Sequence, residues 1–284
     1  MSFSGTNGYI TKPKPRAIIN PLHPLSRGLV GYWLFNEMSG SLANDISGNK
    51  NHGLITNIIP NIQGSGWGGN KFGSSLQLNG TDNYVDCGYN KSLDLTEDLT
   101  IGVIINPTTV ANYRNIIGTA TDRNDFTMPY DLSINTFNNV GLHLGTGSAI
   151  FTISTGSGTV PLNKNSHIIA TVLGTTANIY LNGILKDTDT FVGTRQTLSK
   201  LLFGARVTNL YFWDGSIVVI YMYNRGISHS EVKQLNHDPF CNLLKAPLRR
   251  YSTFGWTGKI NSVTNPAKVC GISVADINKI SGVS

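Results

Sequence analysis

The chain is poor in the residues on which most catalytic chemistry depends. Only 13% of its 284 residues are charged, and only three are glutamate: Glu37, Glu97 and Glu231. None has an aspartate two residues later, so the E-x-D-x-x-E spacing that aims several carboxylates into one cleft from a single strand is missing. Asp187 and Asp189, at a hairpin end, read as a solvated turn. Cysteine is scarce too. Cys87, Cys241 and Cys270 are widely spaced and odd in number, which argues against a disulfide framework and fits folding in a reducing cytoplasm. No C-x-x-C or H-x-x-x-H pair offers zinc ligands, and no G-x-S-x-G elbow offers a nucleophile. His52, His143 and His167 each stand alone, the pattern of packed or surface histidines. No segment approaches the roughly 18 apolar residues of a membrane span, and the opening MSFSGTNGYITKPKPR has no signal-peptide core. These absences point to a protein that is not an enzyme.

What the chain does have is short apolar runs separated by turns. Its 31 glycines follow no G-x-y period, so a collagen-like rod is excluded. Strands are expected at residues 28–35, 75–79, 83–88, 99–105, 116–118, 131–134, 140–144, 167–172 and 177–185. The run 75–79 is expected to pair with 83–88 across the Asn79–Asp82 turn. Asn182-Gly183 between apolar flanks is the strongest hairpin signal, with 167–172 as the neighbouring strand. Residues 203–235 predict a strand, a tight turn at Asp214-Gly215, a second strand over 217–223, and a helical turn opened by Ser228 with Glu231 in capping-box spacing. Many short strands with almost no helix mean an all-β sandwich.

The blocks GLVGYWLFNE, DISGNKNHG, SLQLNGTDNYVDCG, LTIGVIINP, HIIATVLGTTANIYLNG and DGSIVVIYMYNRGIS stand in the order seen in laminin-G-like domains. Over about residues 28–235 the chain resembles that family. The resemblance implies a concanavalin A-like β-sandwich jelly roll over 28–238, a lectin-type fold. It also implies first and last strands that are neighbours, and a calcium ion near a sheet rim. Hard cations take carboxylate, amide and carbonyl oxygens from loops, which makes Asp45, Asn49 and Asp214 the candidates; Asx turns are the alternative use of Asp45 and Asn49. Glycan recognition needs exposed aromatic faces beside polar groups. The candidates are Trp67, set among glycines, with Tyr113, Arg114 and Tyr130; Trp67 serves equally well as an anchor for its loop.

Charge is divided unevenly. Residues 1–27 carry Lys12, Lys14, Arg16 and Arg27 and no acid, while 239–284 carry six basic residues against Asp276; the middle is slightly acidic. The proline-rich 1–27 predicts an extended basic arm. Residues 239–258 read as a linker. The tail 259–284 repeats the pattern Lys, β-branched, two small or polar residues, β-branched, at Lys259–Val263, Lys268–Ile272 and Lys279–Val283. Units so small must pack on a neighbour, by folding back or by pairing with another chain. The repeats resemble those ending many bacteriophage proteins. That resemblance implies a virion protein, for capsid decoration or a fibre, oligomeric on the particle and held to its virion partners through Lys12, Lys14, Arg16, Arg249 and Arg250. Cell-surface or mucosal glycans are the second expected partner; nucleic acid and membrane are not expected.

Overall fold

In a computed structural model the described residues are 12–13, 15, 17–58, 65–109, 113–119, 126–198, 200–208 and 211–244, together with four two-residue strands between 259 and 273. The chain divides into two compact units, residues 1–244 and 245–284.

The strands of the first unit are β1 (Leu29–Trp33), β2 (Leu42–Ala43), β3 (Gly53–Thr56), β4 (Gly66–Asn70), β5 (Gly73–Asn79), β6 (Tyr84–Gly88), β7 (Leu99–Pro107) and β8 (Arg114–Gly118). They continue as β9 (Asp131–Ile134), β10 (Val140–Gly145), β11 (Ile150–Ser154), β12 (Ser166–Leu173), β13 (Thr176–Leu181), β14 (Ile184–Thr190), β15 (Leu201–Phe203) and β16 (Asp214–Tyr223). One helix, α1 (His229–His237), follows. The first sheet runs β14-β13-β12-β7-β16-β5-β4, with β1 also paired to β16; the second runs β11-β10-β9-β8-β15-β6-β3-β2. All pairs are antiparallel. This is an all-β, concanavalin A-like jelly-roll sandwich.

Alternation along the strands builds the core between the sheets. Leu76, Leu78, Ile101, Val103, Ile105, Leu132, Ile134, Leu142 and Leu144 face inward from both layers, with Trp33 and Phe203 edge-on at 4.7 Å. The expected β13–β14 hairpin turns at Asn182 and Gly183, both left-handed at φ +52° and +76°. The capping box is present: the Ser228 hydroxyl accepts from the Glu231 N–H, and the Glu231 carboxylate accepts from the Ser228 N–H. Arg225 then clamps that carboxylate with two N–H donors, at 2.7 and 3.0 Å.

Two expectations about turns are corrected. β5 and β6 do not pair but lie in different sheets. The Asn79 Oδ1 accepts from the N–H groups of Thr81, Asp82 and Asn83, and this Asx corner carries the chain from one layer to the other. Asp214-Gly215 is not a hairpin turn either. It opens β16, because the chain has again changed sheets after β15. Gly215, at φ +136°, lets β16 pass so close to the Asn106 carbonyl that a Cβ would lie 2.3 Å from it.

The outer faces of the two sheets differ. Outside the first sheet a second apolar cluster joins Tyr32, Ile104, Ile169, Val218, Tyr221 and Tyr223 to Val232 and Leu235 of α1 and to Leu25, Phe240 and Leu243. Helix and flanking segments thereby close that face. Part of the cover is the arm, which is not extended throughout: Pro24–Ser26 form one 3-10 turn with Pro24 in its first position, where the missing N–H costs nothing.

In the second unit the described strands are β17 (Lys259–Ile260) paired with β18 (Val263–Thr264), and β19 (Lys268–Val269) paired with β20 (Ile272–Ser273). Each of the first two repeats is thus its own small antiparallel pair. The third repeat lies outside the described residues.

Candidate functional site

The outer face of the second sheet carries polar side chains where the first carries a second core. In β9, Leu132 and Ile134 point into the sandwich, so alternation turns Asp131 and Ser133 outward. Asn115 of β8 stands opposite Ser133, and His143 of β10 opposite Asp131. The segment after β15 folds back over β8 at Gly118, where any Cβ would lie 2.0 Å from the Ala205 carbonyl oxygen. Only glycine fits, and the close approach lowers Arg206 onto the sheet.

There the Arg206 Nε donates to Asn115 Oδ1 at 3.3 Å and lies 3.4 Å from Asp131 Oδ2. The Asn115 amide donates to the same carboxylate oxygen at 3.0 Å, while Asp131 Oδ1 accepts from the Thr119 N–H at 2.6 Å. Both charged side chains are buried, at 5% and 0% exposure. A buried ion pair recovers its desolvation cost only when its other hydrogen-bonding groups are satisfied. Asp131 meets that condition; Arg206 does not, because its Nη1 is buried without a partner. The guanidinium lies 5.0 Å from the centre of the Tyr211 ring, which meets Tyr113 edge-on at 6.4 Å. Both tyrosines are half-buried. Tyr211 holds a left-handed φ of +57°, unusual for an aromatic residue, and its carbonyl accepts from the Asn115 N–H at 2.9 Å. Next to this group His143 bridges the Ser133 and Thr152 hydroxyls, each at 2.9 Å.

The two outward carboxylates of this face are not spaced as a glycosidase pair. Asp86, the outward carboxylate of β6, lies three strands from Asp131, about 14 Å at the usual strand spacing. Paired glycosidase carboxylates stand about 5–9.5 Å apart. Asp86 is moreover paired with Lys200 at 2.7 Å.

The residues expected from sequence fall in several places. Tyr113 belongs to the face just described. Arg114, its neighbour, instead clamps the corner, donating from Nη1 to the Gly80 and Phe212 carbonyls at 2.8 and 2.6 Å. Tyr130 is corrected: alternation turns it inward, and its hydroxyl, wholly buried, donates to the Leu93 carbonyl at 2.6 Å. Trp67 lies on edge strand β4 and not in a loop; its ring packs against the inter-sheet core and its N–H donates to the Gly40 carbonyl at 3.0 Å, the anchoring use.

The three expected calcium ligands do not meet. β1 does neighbour β16, but the register places Trp33, which bridges to Asp45, opposite Ile220. That is six residues, about 20 Å, from Asp214. Asp45 is buried and accepts from the Tyr32, Ser47 and Asn51 N–H groups and the Ser47 hydroxyl, at 2.8–2.9 Å, as an Asx turn does. Asn49 donates its amide to Ser47 Oγ. Burial raises the pKa of Asp214, with Arg114 opposing. Among the described residues no group of three or more His, Cys, Asp and Glu is placed to hold a metal.

Lys12 does not project toward a partner. Its ammonium donates to the carbonyls of Leu34, Phe35 and Ser74, and burial lowers its pKa to about 7 against the pull of Glu37. Lys14, Arg16, Arg249 and Arg250 lie outside the described residues. Asn115, Asp131, Arg206 and Tyr211 had no motif to mark them, since three separate segments supply them.

The two-layer jelly roll, with one closed face and one polar, aromatic-edged face, is of the concanavalin A-like class. Residues 79–233 match the family model of the concanavalin A-like lectin/glucanases superfamily, and the chain belongs to that superfamily. No curated protein matches the chain. Among solved structures, the binding domain of Paraclostridial Mosquitocidal Protein 1 is similar at 17% identity and TM-score 0.57, covering 75% of this chain and 52% of that one. Domain 4 of AbnA, a GH43 extracellular arabinanase from Geobacillus stearothermophilus solved with arabinotriose, is similar at 19% identity and TM-score 0.57, covering 73% and 98%. A botulinum neurotoxin type C structure, described by the dependence of cell entry on two ganglioside molecules, is similar at 12% identity and TM-score 0.54, covering 75% and 51%. The chain thus spans about half the length of the toxin structures it resembles. At these identities the likeness is one of fold.

Proposed function

We propose that the protein is a non-catalytic carbohydrate-binding module whose sugar contacts lie on the outer face of the second sheet. One observation carries the reading: the edge-on Tyr113–Tyr211 pair stands beside a buried Arg206 with an unspent N–H. Aromatic rings take the apolar face of a sugar, and fixed polar groups orient its hydroxyls. The fold shared with an arabinotriose-bound domain and a ganglioside-dependent toxin supports the choice of ligand class.

The test is calorimetric titration with two probes, arabinotriose and a ganglioside headgroup oligosaccharide. Tyr211→Asn removes the ring while suiting the left-handed backbone. It is expected to weaken binding about tenfold or more, the loss of a central aromatic contact, with an unchanged melting temperature. Absence of binding by the unmodified protein, or equal binding by the variant, would sink the proposal.

A second reading, display of this module on a bacteriophage particle, draws on the repeat tail, whose first two units each form a strand pair, and on the basic stretches near both ends. Co-purification with particles at a fixed copy number tests it.

A further inference from the structure

At the far edge of the second sheet, beside β2, a cleft of about 580 Å³ opens between the N-terminal arm and the loop that follows β1. Its volume falls in the range of small-molecule sites. Its walls mix apolar side chains (Ala17, Leu34, Ile46) with polar ones whose hydrogen-bonding capacity is unevenly spent.

Asp45 is saturated by its four donors. Glu37 is half spent: its Oε1 accepts from the Asn44 N–H at 2.8 Å and the Asn44 side-chain amide at 3.1 Å, while its Oε2 is buried with no partner. Asn36 donates its amide to the Pro13 carbonyl at 2.9 Å. The side-chain donors of Asn36 and Asn44 are therefore engaged, while among the described residues nothing donates to their carbonyl oxygens. His52 accepts the Asp45 N–H at Nδ1, leaving only its Nε2 as an outward group. The cleft is thus rich in unspent oxygen acceptors, one of them a carboxylate. The loop holding Asn36 and Glu37 keeps two non-glycine residues in the left-handed region, Phe35 at φ +48° and Met38 at φ +61°. Backbone held there against its preference is over-determined by its surroundings and clusters at ligand sites.

We propose that this cleft binds a small molecule carrying a protonated primary amine on a saccharide-sized body. An ammonium offers three donors and no acceptor, the complement of unspent oxygens, and its bond to a carboxylate is charge-assisted. A neutral polyol could draw on the Ser39 and Ser41 hydroxyls and the His52 Nε2–H, but it brings no charge to answer the Glu37 carboxylate. The apolar residues take the body of the ligand. A parallel within the molecule lies just behind the loop, where the Lys12 ammonium is held by the carbonyls of Leu34, Phe35 and Ser74. This site and the Arg206 face occupy opposite halves of the second sheet, so either can fail without the other.

The probes are the β-1,4-linked glucosamine dimer and its N,N′-diacetylated counterpart, titrated calorimetrically at pH 6. The free-amine dimer is expected to bind at least tenfold more tightly. Glu37→Gln keeps an acceptor for Asn44 but replaces the unpaired oxygen with a donor. It should abolish that preference without shifting the melting temperature or the Tyr211-dependent glycan binding. Asn44→Ala, which retains the carboxylate, should keep the preference. Equal binding of the two dimers, no binding of either, or full retention by Glu37→Gln would overturn the proposal.

Discussion

The outer faces of the two sheets begin from the same strand alternation and end in opposite states. Each carries a histidine. On the first sheet His167 is sealed beneath α1 with its Nε2 2.5 Å from the Tyr221 hydroxyl, in a cluster where Tyr221 meets Tyr32 and Tyr223 edge-on. On the second, His143 lies half-buried between two hydroxyls. The sealed face has an apolar cover that contributes stability. Each face leaves a buried nitrogen unpaired, His167 Nδ1 on the first and Arg206 Nη1 on the second, but the second also sets half-exposed tyrosines beside it. The distinction sorts which substitutions should act on folding and which on binding.

The largest effect is expected from acid. Burial holds the His167 imidazole down to about 3 from an ordinary 6.5, with Asn236 of α1 pulling weakly the other way. The folded state therefore refuses a proton that the unfolded chain accepts. Its contribution is complete above pH 6.5 and is lost as pH falls from 6.5 toward 3, by up to about 5 kcal/mol. His167→Gln, which does not titrate, should flatten the fall in melting temperature over that window relative to the unmodified protein. Parallel curves would show that the face is not sealed against protons.

Next in size is the cover itself. Leu235 of α1 is 1% exposed against the first sheet, while Leu54 on the outer face of the second is 55% exposed. Leu235→Ala should cost about 2–5 kcal/mol, and the same change at Leu54 less than about 0.5 kcal/mol. In a unit of this size the first corresponds to a melting temperature lower by about 5–15 °C. Similar losses at the two positions would erase the contrast between the faces.

The sequence made the sealed half legible because its signals are local. Asn182-Gly183 needs two left-handed residues in a row, and Ser228 with Glu231 closes a helix start within four residues. β16 shows as an apolar run because both its faces are buried, one by the inter-sheet core and one by the helix. The open half is assembled from contacts distant in the chain. Asn115, Asp131 and Arg206 meet only because the chain changes sheets after β15 and lies back over Gly118, and no spacing rule encodes that. Asp214-Gly215 was misread for the same reason: the dipeptide resembles a hairpin turn, but the strand before it lies in the other layer. Tyr130 was legible after all, since an outward Asp131 requires its neighbours to point inward.

The smallest expected effect on folding falls at Thr152, which is exposed on β11 opposite His143 and bonded to its Nδ1 at 2.9 Å. Thr152→Val keeps the shape and the β-branch and removes one hydroxyl. Water can replace that hydroxyl, so the stability cost should stay below about 1 kcal/mol. The imidazole would keep its Ser133 contact but lose a group that helps fix its plane. If His143 helps orient a sugar on the Tyr113–Tyr211 edge, glycan affinity should fall about two- to fivefold while the melting temperature barely moves. A destabilisation above about 2 kcal/mol with unchanged affinity would place His143 with His167 as a structural residue, and the open face would shrink to Arg206 and its tyrosines.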